Sequence, residues 1–428
     1  MALRVLVLGG GAREHALAAR LAAERDVAEV VCTPGNPGIA HVARIAGADL
    51  SDPDALLALA DREQIDLTVV GPELPLSVGV ADRFAADGRL LFGPTRAAAA
   101  LESSKAFAKA FMARHHVPTA RFHTSPSLDD ALGVVASGAF GFPMVLKADG
   151  LAAGKGVVIA EDRAAAEAAI VAAMRERRFG AAGDRLIIEE CLSGPELSFF
   201  VVSDGARALP IGSAQDHKRA FDDDRGPNTG GMGAFAPSPL LDAALQARIV
   251  REIVDPVIAG MTAEGHPFRG FLYVGLMLTS SGPTVIEFNV RLGDPEAQVT
   301  LPLIDEPLLP ILLAAAAGEL RQPDCRLGDD RLVGVVLASR GYPESSESGR
   351  LIEGIADAEH LPGVSVYHAG TARREGRLVT AGGRILTVVG RGVDFAEATA
   401  RAYAGVLQIS FDGMQYRHDI GRKALAAR

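Results

Sequence analysis

Across its first hundred residues the sequence alternates short apolar runs with single helical stretches, and few folds accept that order. Strand-like Arg4–Leu8 runs through glycines into a helix from about Ala12 to Glu24. Then come Glu29–Thr33, a turn at Pro34-Gly35-Asn36-Pro37-Gly38, a helix near Pro53–Gln64, and strands Leu67–Val70 and Leu90–Phe92. Thr95–Leu101 starts another helix. Strands separated by single helices predict a parallel sheet covered on both faces. Such sheets bind ligands beyond the carboxyl ends of their strands. The loops Gly9–Glu14, Pro34–Gly38 and Gly71–Leu76 are therefore the first candidates for a site.

The pattern then changes. From Ser104 a helix leads to strand-like Pro143–Lys147 and Gly156–Ala160, a helix over Arg163–Arg178 and a strand over Arg185–Glu190. Longer β-rich runs follow at Leu197–Ser203, Gly270–Thr279 and Thr284–Asn289. Between them Ser213–Gly233 is polar, glycine-rich and nearly aperiodic, which predicts a loop, functional or disordered. From about Asp329 the strands Leu332–Ser339 and Arg384–Gly390 and a closing helix Asp394–Val406 predict an α+β cap. The expected organisation is α/β and α+β multidomain. An N-terminal parallel α/β domain spans 1–104, a central domain 105–328 with a lid subdomain at about 120–190, and an α+β domain 329–428. The length suggests about three domains as well.

Composition narrows the function. A net charge of -10 argues against a sequence-independent grip on nucleic acid, which needs a basic surface. It leaves anionic small molecules open, since loops rather than total charge hold phosphates. Cys32, Cys191 and Cys325 stand singly, as expected in a reducing cytosol. Val5–Leu8 is too short for a signal peptide, and the apolar run Leu308–Ala317 falls far below the roughly 20 residues of a membrane span. A soluble, cytoplasmic protein without membrane partners is expected.

Five segments carry chemistry. Gly9-Gly10-Gly11-Ala12-Arg13-Glu14-His15 follows a strand and opens a helix, so its N–H groups could face a phosphate. Glu14 occupies the third glycine position of a dinucleotide fingerprint, and the second strand ends in Thr33-Pro34 without an acidic ribose ligand. A phosphate-bearing substrate fits better than a dinucleotide, although an ordinary tight turn would look the same. Lys147–Gly156 has glycines and two lysines between strands, as a hairpin covering a nucleotide would. It lacks Walker A spacing, and a structural lysine on a surface hairpin is as good a reading. Glu189-Glu190-Cys191-Leu192, followed by Glu196, could offer a strand end to adenine and a carboxylate to ribose, or be a plain acidic strand end.

Thr284–Glu296 is the strongest signal. Glu287, Asn289 and Arg291 alternate, so a strand would project all three from one face. Two oxygen ligands suit Mg²⁺ shared with phosphates, and an arginine suits a phosphoryl group in transfer. Asp216-His217-Lys218-Arg219 and Gly226–Gly233 bracket the polar segment and suit a substrate loop. There His217 reads as an orienting or surface residue, and Asp222-Asp223-Asp224 as solvated.

Together these segments resemble the ATP-grasp superfamily and, within it, the phosphoribosylamine–glycine ligase (glycinamide ribonucleotide synthetase) family. The strings Arg13–Ala16, Gly71–Glu73, Leu101–Phe107, Lys147–Gly156, Gln215–Arg219, Gly226–Gly233 and Glu287–Glu296 carry the resemblance along nearly the whole chain. It implies a central ATP-grasp domain that uses ATP with Mg²⁺ or Mn²⁺. By resemblance, Lys105, Lys147, Gly154, Lys155 and Gly156 meet the phosphates, Glu189, Glu190 and Leu192 the adenine, Glu196 the ribose, and Glu287 and Asn289 the metal. Gly11, Arg13, Glu14 and Glu73 are expected to hold phosphoribosylamine. Asp216, Lys218, Arg219, Asn228, Thr229 and Gly230 line the substrate site, with Arg291, Lys147 and Asp294 catalytic. The implied reaction joins glycine to 5-phosphoribosylamine through glycyl phosphate in a monomer or weak homodimer. Departures are Gly10 and Ala12 for Asn and Gly, and Val290 and Leu292 for Cys and Phe. Many ATP-grasp enzymes also carry a metal-binding Glu where this sequence reads Tyr273-Val274-Gly275-Leu276-Met277. The rivals are an ATP-grasp enzyme acting on another carboxylate, a nicotinamide-dependent oxidoreductase, and a non-enzymatic nucleotide-binding module. The last has no need of Glu287, Asn289 and Arg291 together.

Overall fold

A computed structural model describes residues 2–150 and 156–426. The N-terminal strands are β1 (Leu3–Gly9), β2 (Val27–Pro34), β3 (Arg44–Ile45), β4 (Leu67–Val70) and β5 (Leu91–Phe92). They form the expected parallel sheet in the order β3-β2-β1-β4-β5. Val5–Leu8 are fully buried, as a central strand with helices on both faces requires. The helix Pro53–Arg62 starts where Asp52 accepts the Asp54 and Ala55 N–H groups and Pro53 presets the first turn.

The next strands, β6 (Phe122–Ser125), β7 (Met144–Ala148), β8 (Val157–Ala160) and β9 (Leu186–Glu190), make an antiparallel sheet in the order β6-β9-β7-β8. The helix expected over Arg163–Arg178 is α-helical over Arg163–Ile170 and closes with a π turn at Val171–Arg175.

β10 (Glu196–Asp204), β11 (Ala208–Asp216), β12 (Arg219–Phe221), β13 (Arg225–Asn228), β14 (Gly233–Ala236), β15 (Arg269–Thr279) and β16 (Gly282–Asn289) follow. The predicted loop Ser213–Gly233 is thus mostly strand, with β12 and β13 pairing as a hairpin. The C-terminal part supplies β17 (Arg331–Ala338), β18 (Val364–His368), the hairpin β19 (Thr371–Arg374) and β20 (Arg377–Thr380), and β21 (Arg384–Gly392). One sheet runs β16-β15-β10-β11-β14-β17-β21-β18, so the pairing of β14 with β17 carries it from the central region into the cap. The helix Phe395–Val406, capped by Asp394, covers that end, and a short helix Arg422–Ala426 follows it.

Packing joins these units. One core includes Leu6 and Val31 of the first sheet with Phe199, Leu272 and Val285 of the long sheet. Another includes Val5 and Leu17 with Phe200, Phe271 and Leu309. The helix Leu308–Ala317 contributes to the latter, as an almost wholly apolar helix should when buried. No helix among the described residues is long and apolar enough to cross a membrane.

Candidate active site

The helix Lys105–Arg114 begins at Ser104, whose side chain accepts the Phe107 N–H and donates to Asp149 Oδ1 at 3.0 Å. Ala106 N also donates to that oxygen, and Lys105 Nζ donates to Gly150 O at 2.9 Å. The start of the glycine-rich segment is therefore fixed to the first turn of this helix. Gly156 O accepts the Ala148 N–H; Gly154 and Lys155 lie outside the described residues.

Lys147, on β7, donates to Ile286 O of β16 at 3.0 Å and pairs with Glu189 Oε2 of β9 at 3.0 Å. Lys109 Nζ pairs with the same oxygen at 3.0 Å. Glu189 is buried, so it is not a solvated strand end. Its Oε2 is held by two ammonium groups, and its backbone is paired on both sides, with β6 and β7. Glu190 turns outward, pairing with Arg121 at 2.7 Å. Glu196 pairs with Lys218 at 2.7 Å, which brings the end of β11 against the start of β10.

Glu287 and Asn289 share a face of β16, as period two predicts. Neither side chain has a hydrogen-bond partner among the described residues. Burial alone would raise the Glu287 pKa, but Lys218, Lys147, Lys105 and Arg291 together hold it below the ordinary carboxylate value. Its register partner on β15 is Gly275, so no second carboxylate stands at this level. Among the described residues no three His, Cys, Asp or Glu side chains are grouped to hold a metal. An ionised carboxylate and a carboxamide, completed by phosphate oxygens and water, still make a donor set suited to Mg²⁺.

Arg291 departs from expectation. β16 ends at Asn289, and the guanidinium is held by Glu102 at 2.8 Å, Glu73 at 3.3 Å and Leu292 O at 3.1 Å. Glu102 also accepts the Val290 N–H at 2.8 Å. Glu102 was not singled out from sequence as a functional residue. Its only signal was a place in the string Leu101–Phe107, because nothing in a short helix announces that its carboxylate is buried.

At the first loop, Glu14 Oε2 accepts the Gly11 N–H at 2.6 Å and Oε1 accepts Arg13 Nε at 2.6 Å. The expectation that this loop bares its N–H groups to phosphate is corrected there, since the Gly11 donor is already used. Gly9, at φ +128°, and Gly71 pack on this side chain; a Cβ at either would stand 2.4 or 2.3 Å from Glu14 Cγ. Positive charge at the loop comes from Arg13, which also pairs with Glu73 at 3.5 Å. Glu73 stays ionised below the usual range: burial opposes this, and Arg291 and Arg13 override it.

Asp294 is held likewise below its ordinary pKa against burial, by Arg384 first and then Arg13. Its Oδ1 lies 3.3 Å from Arg384 Nη1 and accepts Gln298 Nε2 at 3.0 Å. Arg384, on β21 of the cap, also donates to Asp294 O and Gly230 O, both at 2.6 Å. Tyr342 Oη accepts the Gly230 N–H at 2.9 Å. The sequence reading missed both residues, because only the fold brings the cap onto these segments. Thr229 donates to Lys218 O at 2.8 Å, and Arg219 closes its own hairpin on Gly226 O at 2.8 Å. Asn228 sits opposite Arg219 in that hairpin. Asp216 Oδ1 is buried without a partner among the described residues; burial and the nearby Glu296 charge push the Asp216 pKa up, and burial with the Asp294 charge raises that of Glu296.

One of the two alternatives for His217 fails here, and so does the reading of the three aspartates. His217 is 1% exposed and so not a surface residue, and burial lowers its pKa to about 4. Asp222, Asp223 and Asp224 are not merely solvated: they pair with His418, Arg422, Arg417 and Lys423 of the C-terminal segment.

The structure thus gathers two charged groups. Lys105, Lys147, Glu189, Glu287, Asn289, Lys218 and Glu196 form one; Arg13, Glu14, Glu73, Asp294 and Arg384 form the other, and Arg291 pairs with Glu73 of the second while its charge acts on Glu287 of the first. Glu190 and Arg219 face away into other contacts. A cavity of about 400 Å³ walled by Pro210, Pro237, Pro239 and Pro323 involves none of them.

Along its length the chain matches phosphoribosylglycinamide synthetase: the N domain over residues 3–102, the ATP-grasp (A) domain over 103–297 and the C domain over 332–423. Phosphoribosylamine–glycine ligase of Caulobacter vibrioides is 49% identical, the match covering 100% of this chain and 99% of the relative. That of Xylella fastidiosa (strain Temecula1) is 48% identical, covering 99% and 98%. The crystal structure of phosphoribosylamine–glycine ligase from Thermotoga maritima superposes with a TM-score of 0.86 at 33% identity, covering 97% of this chain and 100% of the other. The biotin carboxylase domain of Hydrogenobacter thermophilus 2-oxoglutarate carboxylase, solved with Mg-ADP, shares the fold at a TM-score of 0.74 and 18% identity, covering 97% and 92%.

Proposed function

The chain belongs to the phosphoribosylglycinamide synthetase family, ATP-grasp ligases that join glycine to 5-phosphoribosylamine in de novo purine biosynthesis, and from that premise we propose how its residues divide the work. The observation that carries the proposal is Glu287: an ionised carboxylate, without a partner among the described residues, amid Lys105, Lys147 and Lys218. Glu287 and Asn289 would hold a divalent cation, Mg²⁺ or Mn²⁺, which neutralises charge on the triphosphate when bound. Lys105 and Lys147 receive phosphate oxygens, the backbone at Glu189–Leu192 receives adenine, and Glu196 the ribose.

A glycine carboxylate oxygen attacks the γ-phosphorus and ADP leaves, giving glycyl phosphate. The amine nitrogen then attacks the acyl carbon, the C–O bond to phosphate breaks, and the nitrogen loses a proton. Positioning and charge neutralisation account for the first step, with no covalent role for the protein. Arg291 neutralises the phosphoryl group in flight once substrate competes with Glu102 and Glu73 for it. Arg13 and Glu73, with Gly11 and Glu14 shaping the loop, hold phosphoribosylamine. Asp294 and the Asp216–Arg219 and Asn228–Gly230 segments hold the reacting groups. We assign 1–104 to the amine substrate, 105–328 to ATP and 329–428 to closing the site, within a monomer or weak homodimer. Three free thiols agree with a cytoplasmic setting.

The test mixes enzyme, Mg-ATP, glycine and freshly generated phosphoribosylamine, then counts ADP and glycinamide ribonucleotide by mass spectrometry. Hydroxylamine in place of the amine should yield glycine hydroxamate with one ADP each. ADP release without hydroxamate would overturn the acyl phosphate route.

A further inference from the structure

The helix that begins with Lys105 carries a second lysine one turn on, Lys109, and nothing in the mechanism above uses it. Its side chain is 2% exposed, a costly place for an ammonium unless it is fully paired. Lys109 Nζ donates to Thr119 Oγ1 at 2.7 Å and pairs with Glu189 Oε2 at 3.0 Å. Thr119 in turn donates to Val285 O of β16 at 2.9 Å. Lys147 pairs with that same Glu189 oxygen and donates to Ile286 O, the next carbonyl along β16.

One carboxylate therefore serves two ammonium groups, and the three-group cluster carries a single positive charge. Without Lys109, Glu189 would neutralise Lys147 completely and hold it in a contact that an incoming phosphate would have to break. With Lys109 in place the Glu189 charge is already compensated at Oε2, although Oε1 is buried with no hydrogen-bond partner among the described residues. We infer that Lys109 is a positioning residue for ATP: it compensates Glu189 and so leaves the Lys147 ammonium available to the triphosphate beside Glu287. The inference rests on the reading of Lys147 as a phosphate contact. The environment agrees with a strained charge. Burial, opposed by Glu189 and aided by Lys147, brings the Lys109 pKa down to about 8, and Glu190 is the remaining charged neighbour.

The test compares KM for ATP with kcat and thermal midpoint in the wild type, Lys109→Met, Lys109→Arg, Lys147→Met and the double variant Lys109→Met/Glu189→Gln. Lys109→Met should raise KM for ATP about ten- to a hundredfold, the equilibrium equivalent of one charge-assisted hydrogen bond, while leaving KM for glycine nearly unchanged. Lys109→Arg keeps the charge and should stay close to wild type. The double variant removes both buried charges and should regain most of the lost ATP affinity, a rescue that a purely structural lysine does not predict. It also stays informative if Lys109→Met does not fold. Unchanged KM for ATP in Lys109→Met, or a double variant as weak as or weaker than the single one, would overturn the inference. If Lys147→Met itself keeps wild-type KM for ATP, the phosphate reading of Lys147 falls first, and this inference with it. If Lys147→Met weakens ATP and Lys109→Met does not, only the role of Lys109 falls.

Discussion

A carboxylate at position 14 decides how the N-terminal loop works. A dinucleotide turn keeps a glycine there so that pyrophosphate can approach the backbone. Here Glu14 fills that space, takes the Gly11 N–H and steers Arg13. The sequence sufficed to exclude the dinucleotide but not to say what replaced it, because the answer depends on Gly9 and Gly71 closing on one side chain. β16 was more legible: period two alone paired Glu287 with Asn289. Replacing Glu287 by Gln removes the charge and keeps the shape, so the half-saturating Mg²⁺ concentration should rise at least about tenfold, read by turnover across a metal titration. An unchanged metal requirement would remove Glu287 from the metal site. Arg291→Ala should cut kcat by about two orders of magnitude, the scale of one lost electrostatic donor in the transition state. ATP affinity by titration should change far less; equal losses in both would count against a transition-state role. Lys109 and Glu102 were illegible for a common reason: a charged residue in a helix reads as solvated until tertiary packing buries it.

The hairpin β12–β13 shows the same limit for a whole element. Glycine, proline and three consecutive aspartates hid its strand character, since its stability comes from partners nearly two hundred residues away. Arg417, with no exposed surface, donates to Asp419 from Nε and Nη2, both at 2.7 Å, and from Nη1 to Asp224 at 2.9 Å and to Arg219 O at 3.1 Å. Asp419 is held far below the usual carboxylate range, burial being outweighed by the Arg417 hydrogen bonds and charge and by the Asp223 N–H. Breaking one side of a buried ion network typically costs about 3–5 kcal/mol. Arg417→Met should therefore lower the urea midpoint markedly. It should also loosen Lys218 and Thr229–Gly230, raising substrate KM values before kcat falls. Lys in place of Arg cannot fork to both aspartates and should rank between the two. A variant as stable as wild type would show that the hairpin stands without this tether.

At the scale of the whole molecule, the parallel sheet, the long β region and the α+β cap were all foreseeable from periodicity and order. The seam between first and last parts was not. Asn36, in the turn after β2, donates to Gly10 O at 2.9 Å and to His368 O of β18 at 2.8 Å. The His368 N–H donates to His15 Nδ1 at 2.9 Å, so His15 must be unprotonated at that nitrogen. The cap thereby grips the same loop that carries Arg13 and Glu14. Burial is the main reason the His15 pKa falls to about 3, with His368 and His41 adding repulsion. Burial likewise lowers His368 to about 4, as it does His217 behind the substrate loop. The sign follows from the depressed values. Above the unfolded histidine value of about 6.5 these rings are neutral folded and unfolded, and their contribution is fully present. As pH falls from there toward about 4 the unfolded chain binds protons that the folded chain refuses, and stability is lost. Each ring adds a slope of up to about 1.4 kcal/mol per pH unit. Paired carboxylates lose their contribution only lower, below the ordinary Asp and Glu values, so the two windows separate. Urea midpoints measured from pH 7.5 down to 4.5 should therefore decline steadily below pH 6.5. His15→Asn can still accept the His368 N–H but cannot titrate, and should flatten the decline by one ring's share. If the variant declines as steeply as the wild type, the seam is not what acid opens, and the loss must be sought in His217.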